Sequence, residues 1–471
     1  MDVSSSSPEL PDECLESIFK HLNNPYDHES LSLVSKHFLS LTNPLLTHLT
    51  ISQGILPHLP ALLRRFTTLT SIKISRNFTG DVDALLSQIA SFDLPSFHSL
   101  DISNQKPFPS HGLRQLSQKF PTLKSLNCFR TRPDVVLIVE CFPNLEEIDL
   151  SFIPDSELPD ADLHVKALTS GLKKLRKVNL LGTFLLEDSA IFTLCHNCVS
   201  LEALAVHPFS ESDIDLVNAI RERPQLRSLK VVTDVTLELI DALAMCALAE
   251  GGLPLRELCL DSCRGYGFRG ISCLLRKCNN LQSLDLQRTD FLNDECVMDL
   301  SLLLGNLKIV KFDVEDRVNK VTELSLYAIM RNCSLITEIR MVATDFGKLR
   351  EDCLVVNSHL KFLSLDGNSG LDDESLTMLA SVCPNLEIID LGETCTRVSK
   401  GAIDVLRRCR KIQRMVIYGI GRDLPQFQFR VNFEVPTLFV LNLHGCSISD
   451  EELSLLSKSC YNLKELTLDF C

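Results

Sequence analysis

Nineteen cysteines in 471 residues are the side chains of this chain best able to do chemistry, because a thiolate ligates metals, attacks electrophiles and exchanges disulfides. Cys195-His196-Asn197-Cys198 has the two-residue gap of a zinc half-site. A structural zinc site takes four ligands, and no second pair stands nearby, so the sequence does not support a metal. The twelve histidines do not gather with cysteine or carboxylate at ligand spacing. No H-E-x-x-H, G-x-S-x-G, phosphate-loop or calcium-loop pattern is present either. The expectation is a non-catalytic protein without a cofactor. The cysteine number is odd, and the leading MDVSSSSPEL has neither the basic segment nor the apolar core of a secretory signal. A soluble protein of a reducing compartment, cytoplasmic and/or nuclear, is expected. A net charge of -14 and a sequence pI near 5.4 argue against nucleic acid as the main partner. No stretch approaches the roughly 18 uninterrupted apolar residues of a membrane span.

The spacing of the cysteines explains their number. Apolar residues stand at i, i+3 and i+4 with cysteine at i+7 in Ile191, Leu194, Cys195, Cys198, and again in Ile271, Leu274, Leu275, Cys278. The rule recurs in Leu326, Ile329, Met330, Cys333, in Leu376, Leu379, Ala380, Cys383, and in Ala402, Val405, Leu406, Cys409. In Leu453, Leu456, Ser457, Cys460 a serine takes the fourth-residue position. Each set is one stripe of an amphipathic helix, and the cysteine closes it as a small buried hydrophobe. Three residues later a strand pattern begins, as in Leu281-Gln282-Ser283-Leu284-Asp285-Leu286. The apolar period thus switches from 3.6 to 2 inside every unit.

From Leu46 to Leu463 these units recur with a mean step of about 26 residues, within the leucine-rich-repeat range. One such unit buries too little apolar surface to order itself, so neighbours must stack. The expected fold is an α/β leucine-rich-repeat solenoid over residues 45–471. It is a horseshoe of about 17 units, with parallel strands on its concave face and helices outside. Basic runs such as Lys173-Lys174-Leu175-Arg176-Lys177 and Arg407-Arg408-Cys409-Arg410-Lys411 fall at helix-to-strand corners. There cations favour the helix C-terminus.

Residues 10–44 break the repeat, after a disordered stretch expected at 1–9. Pro11, Asp12 and Glu13 suit a helix start, and Leu15, Ile18, Phe19 and Leu22 form one apolar stripe before Asn23-Asn24-Pro25. A second stripe runs through Leu31, Val34, Phe38 and Leu41 and stops at Asn43-Pro44. Two short helices cannot bury both stripes. They must pack on the solenoid end, on another protein, or on both.

Leu10-Pro11-Asp12-Glu13 with Ile18-Phe19 and Leu22, followed by Leu33-Val34-Ser35-Lys36-x-Phe38, resembles an F-box. The cysteine-containing repeats behind it resemble those of plant-type F-box/leucine-rich-repeat proteins, across nearly the whole chain. That resemblance implies the substrate receptor of an SCF-type cullin-RING ubiquitin ligase. The helices would bind a Skp-type adaptor and through it the cullin, and the repeats would select a protein for ubiquitylation. Carried over by position, the adaptor-binding residues are Leu10, Pro11, Leu15, Ile18, Leu22, Val34, Lys36 and Phe38. Cys14 stands where the family has a larger aliphatic residue, and Phe38 where tryptophan is common. Both bear on adaptor affinity.

The polar residues between strand leucines are assigned to the concave face: Lys73, Asp101, Asn127, Asp149, Asn179, Lys230, Asp285, Asp313, Arg340, Asp390 and Asn442. Irregular units mark loops that emerge on one face. They are the acidic, proline-bearing 151–160, the glycine–aromatic–arginine run 263–270, and 418–433, where an extra strand or clamp loop replaces a helix. Candidate substrate-binding residues are Arg264, Tyr266, Phe268, Arg269, Tyr418, Arg422, Phe427 and Phe429. Two further classes remain open: a small-molecule-dependent hormone co-receptor, which needs a dense cationic patch, and a repeat scaffold with no ubiquitin role.

Overall fold

The structure, a computed structural model, describes residues 10–22, 25–152, 167–182, 188–207, 214–232, 249–262, 267–289, 291–314, 321–342, 344, 346–368, 370–392, 399–418 and 428–469. The chain divides into two compact units, Met1–Leu201 and Glu202–Cys471.

Unit 1 begins with three helices, α1 (Asp12–Lys20), α2 (Pro25–Ser32) and α3 (Lys36–Thr42). The second apolar stripe of the sequence is therefore not one helix. It is interrupted because Ser35 takes the N-cap position of α3, its Oγ accepting the Phe38 N–H at 3.1 Å, which turns the chain at Leu33 and Val34. The rest of this unit carries β1 (His48–Ile51), β2 (Ser71–Ile74), β3 (Ser99–Asp101), β4 (Ser125–Asn127), β5 (Glu147–Asp149) and β6 (Lys177–Asn179). They pair in sequence order and all in parallel, with Leu49, Ile72, Leu100, Leu126, Ile148 and Val178 in one buried row. Each strand returns through a helix, as in Val82–Ala90 and Ser110–Lys119, whose inner faces complete the core.

Unit 2 repeats the arrangement with parallel strands from Ala203–Val206 to Glu465–Thr467. Its buried row runs from Leu204 and Leu229 through Ile339 and Leu363 to Leu441. Leu466 continues the row in the last strand but is 43% exposed, because no described strand packs beyond it. For the same reason Ser457 of the last helix faces solvent, whereas its counterparts in the other stripes are buried.

The cysteines that close the helical stripes, Cys198, Cys278, Cys333, Cys383, Cys409 and Cys460, are all buried. Among the described residues no cysteine is in a disulfide. The small thiol also reaches the neighbouring repeat. Cys198 Sγ donates to Leu172 O at 3.3 Å, and Cys409 Sγ to Cys383 O at 3.4 Å. Burial drives the Cys383 thiol up to about 12, which keeps it protonated and chemically inert. Asparagines at the same corners tie repeats together: Asn306, Asn385 and Asn462 donate to Asn279 O, Ser358 O and Pro436 O at 3.0, 2.9 and 2.8 Å. These bonds satisfy carbonyls that the turns leave unpaired.

Helices approach closely where glycine opens the next one. The Gly401 N–H donates to Asp373 Oδ1 at 2.6 Å, and the Gly112 N–H to Asp83 Oδ1 at 2.5 Å. A Cβ on Gly401 would stand 2.7 Å from Asp373 O and from Leu376 Cβ. One unit departs from the rule in a way the repeat spacing did not signal. Between the strands Glu338–Val342 and Phe362–Ser364 the described residues hold only the short 3-10 turn Glu351–Cys353. It is pinned by the Gly347 N–H on Glu323 at 2.7 Å and the Arg350 N–H on the Tyr327 hydroxyl at 2.6 Å.

Candidate functional site

The N-terminal helices form a small module around one aromatic contact. The Phe19 and Phe38 rings meet edge to face at 5.2 Å, and Phe19 is 3% exposed. His37 Nε2 lies 3.1 Å from Asp12 Oδ1, joining α3 to the start of α1, and His28 Nε2 lies 2.7 Å from Phe19 O. The module is seated on the first repeat through buried Leu41 and Thr42. Arg65 also forks Asn43 Oδ1 from Nε and Nη2 at 3.0 and 2.8 Å.

What this seating leaves uncovered is apolar. Leu10 is 57% exposed, Ile18 49%, Leu33 81% and Val34 63%. Pro11 and Lys36 are exposed beside them. The structure thus separates the sequence candidates by role. Leu10, Pro11, Ile18, Val34 and Lys36 stand free, while Leu15, Leu22 and Phe38 are half-buried and pack the module itself. Leu33 was missing from the candidate set, since within a continuous helix it would not share a face with Val34. The turn set by Ser35 brings both to the surface. A monomer gains nothing by leaving such side chains in water, and several of them exposed on one small module, with Lys36 two residues from Val34, have the makeup of a protein-docking surface.

Among the described residues the exposed sheet face is mixed in charge and largely self-paired. In unit 1 Thr50, Lys73, Asp101, Asn127, Asp149 and Asn179 form one register row. Lys73 Nζ is 3.2 Å from Asp101, and Asn179 donates to Asp149 Oδ2 at 2.9 Å. In unit 2 Lys230, Cys259, Asp285, Lys311, Arg340, Ser364, Asp390, Val416 and Asn442 share a row. Asp313 is displaced from it: it pairs with Gln287 and Val342, and Lys311 holds the row position. Arg340 bonds Glu338 at 2.7 Å while lying 4.2 Å over the Phe362 ring. Burial raises the Asp285 and Asp390 carboxyls above the usual range.

The other candidates are dispersed. Arg264, Tyr266, Arg422 and Phe427 lie outside the described residues, as do 153–166 of the acidic insertion. Phe268 and Arg269 are not on a glycine loop, because helix begins at Gly267; Phe268 is half-buried and Arg269 exposed. Tyr418 lies edge to face with His444 at 5.3 Å. Phe429 is a correction. It is fully buried, with its N–H on Glu452 Oε1 at 2.7 Å, and belongs to the core rather than to a recognition surface. Residues 428–433 are neither strand nor helix. No described helix is long and apolar enough to cross a membrane.

Residues 7–52 match the family described as F-box-like. GRR1-like protein 1 of Arabidopsis thaliana is 26% identical over 284 aligned positions, which cover 51% of this chain and 46% of that protein. The chain therefore spans less than half of that relative. Coronatine-insensitive protein homolog 2 of Oryza sativa subsp. indica is 21% identical over 529 positions, covering 98% of this chain and 82% of that protein. Among solved structures, the yeast Rad7–Elc1 complex is similar at a TM-score of 0.49 and 17% identity, with 81% of this chain and 88% of that chain covered. With an F-box-like module leading a stack of cysteine-closed leucine-rich repeats, the chain is similar to plant F-box/leucine-rich-repeat proteins.

Proposed function

We propose that this protein is the substrate-recognition subunit of an SCF-type cullin-RING ubiquitin ligase. The N-terminal module binds a Skp-type adaptor and the repeats bind a target protein. The observation that carries this reading is the uncovered apolar group Leu10, Ile18, Leu33 and Val34, held on a module anchored to the first repeat by Arg65 and Asn43. Such a receptor performs no bond chemistry of its own. It raises the effective concentration of the target beside the conjugating enzyme. Co-purification with a Skp-type adaptor tests the reading: wild-type protein should carry the adaptor stoichiometrically, and a Leu33→Ala/Val34→Ala variant should lose it while remaining folded. Retention by that variant would refute the docking surface.

A second reading, capture of the target only with a small molecule present, is favoured by the likeness to a coronatine-insensitive homologue along 98% of the chain. Target binding that is unchanged after exhaustive dialysis of the purified protein would refute it.

A further inference from the structure

In unit 1 the turns that follow the strands line one rim of the sheet. At one position of that turn the backbone is left-handed in four successive repeats: Asn104 (φ 63°), Arg130 (φ 53°), Phe152 (φ 56°) and Gly182 (φ 60°). Asparagine and glycine adopt this conformation readily, whereas for bulky residues it is an outlier. Hydrogen bonds along the rim hold it in place. The N–H groups of Asn104, Arg130 and Phe152 donate to Phe129 O, Ser151 O and Leu181 O at 2.8, 3.0 and 2.7 Å.

The consequence is a preformed platform. The Arg130 guanidinium carbon lies 5.1 Å from the Phe129 ring centroid and 5.8 Å from that of Phe152. The two rings meet edge to face at 5.6 Å. Gly182 makes room for this, since a Cβ there would stand 2.9 Å from the Phe152 ring. Phe152 is 48% exposed and Arg130 is exposed. Among the described residues no ion pair and no side-chain hydrogen bond reaches Arg130. Its forked N–H donors stay open while the rings fix the guanidinium plane.

The surroundings have the same sign. Arg76 and Lys106, in the turns after β2 and β3, are exposed and have no ionic partner among the described residues. The acids on the described part of these turns, Asp81 and Asp134, are N-caps accepting from Ala84 N at 3.2 Å and Leu137 N at 3.0 Å. Their charge is therefore engaged by helix N-termini. Among the described residues of these turns the charge is locally cationic, while Asp155, Glu157 and Asp160, which follow Phe152 in sequence, lie outside the described residues.

We infer that this rim docks an acidic linear peptide, with a carboxylate taken in the fork of Arg130 and an adjoining apolar side chain laid on Phe152. Planar guanidinium and carboxylate pair bidentately, and a guanidinium already fixed by rings loses little freedom when it does so. The inference rests on the reading of the repeats as the target-binding part, and it names the chemical class of the segment they take.

The test uses the full chain bound to its adaptor and a short fluorescein-labelled peptide alternating Glu with Leu, followed by anisotropy. The Glu peptide should bind, more weakly as salt rises, and a version with Gln for Glu should not. Arg130→Gly relieves the backbone rather than straining it, so thermal unfolding and adaptor binding should be unchanged. Peptide affinity should nevertheless fall roughly ten- to hundredfold, as expected for losing a charged hydrogen-bonded pair. Phe152→Gly should weaken binding in the same way. Equal affinity for the Gln peptide, wild-type affinity in Arg130→Gly, or binding only of a phosphoserine version would each overturn the inference. Loss of adaptor binding with peptide binding intact would instead overturn the ligase reading alone.

Discussion

The pair Leu33 and Val34 offers the most direct measurement of the docking surface. They are 81% and 63% exposed, so truncating both to alanine removes methylene and methyl groups that the isolated protein keeps mostly in water. Exposed truncations of this kind change folding stability by less than about 0.5 kcal/mol. If a partner completes their burial, the lost transfer energy at about 0.8 kcal/mol per carbon, scaled by those exposures, is about 3 kcal/mol, or about a hundredfold in Kd. Isothermal titration of the adaptor against wild type and the double alanine variant gives the ratio, and a thermal melt gives the control. Phe19→Ala supplies the contrast. Phe19 is 3% exposed against Phe38, and its truncation should unfold the module at a cost of about 3–5 kcal/mol. Adaptor affinity within about twofold of wild type in the double variant would refute the reasoning, because a surface worth so little cannot be the one that docks.

Four other outcomes are expected. Gly401→Ala should destabilise unit 2 by about 1–3 kcal/mol in spite of alanine's better helix propensity, because neither the Asp373 carbonyl nor Leu376 can retreat. Gly54→Ala, with nothing within 4 Å of the added carbon, should show no loss in the same denaturant titration. Burial works to raise the Glu452 carboxyl, but hydrogen bonds from Ser449 and the Phe429 N–H outweigh it and hold it below the usual glutamate range. A depressed folded-state pKa means stability present above the unfolded value of about 4.3 and lost as pH falls through the folded one. The protection factor of the Phe429 amide against hydrogen exchange, the observed rate corrected for the intrinsic rate at each pH, should therefore fall on acidification, and Glu452→Gln should flatten that dependence; an equal slope in both proteins would contradict it. Native-state alkylation read by mass spectrometry should label exposed Cys14 first and spare Cys333 and Cys383, whose thiols burial drives up to about 11 and about 12. Rapid labelling of Cys383 without unfolding would contradict the closed packing of its stripe.

The sequence alone determined the repeat. A stripe such as Leu376, Leu379, Ala380 and Cys383, followed by strand alternation three residues on, is a local pattern with a local cause, and the structure buries all four residues. The N-terminal module was legible for the same reason, through Pro11, the first-turn acids and the Phe19 stripe. What the sequence could not determine is which apolar side chains remain unpacked. Val34 and Phe38 looked equivalent on one helix, and the Ser35 cap sends the first into water and the second against Phe19. Phe429 looked like a recognition residue because it sits in a glycine-bearing irregular unit, yet it fills a core position. The Phe129, Arg130 and Phe152 platform joins residues from successive repeats through a backbone conformation that no spacing rule encodes. Period and propensity are properties of a segment. Exposure, pairing and strain depend on what the neighbouring repeat brings alongside, and tertiary structure alone decides them.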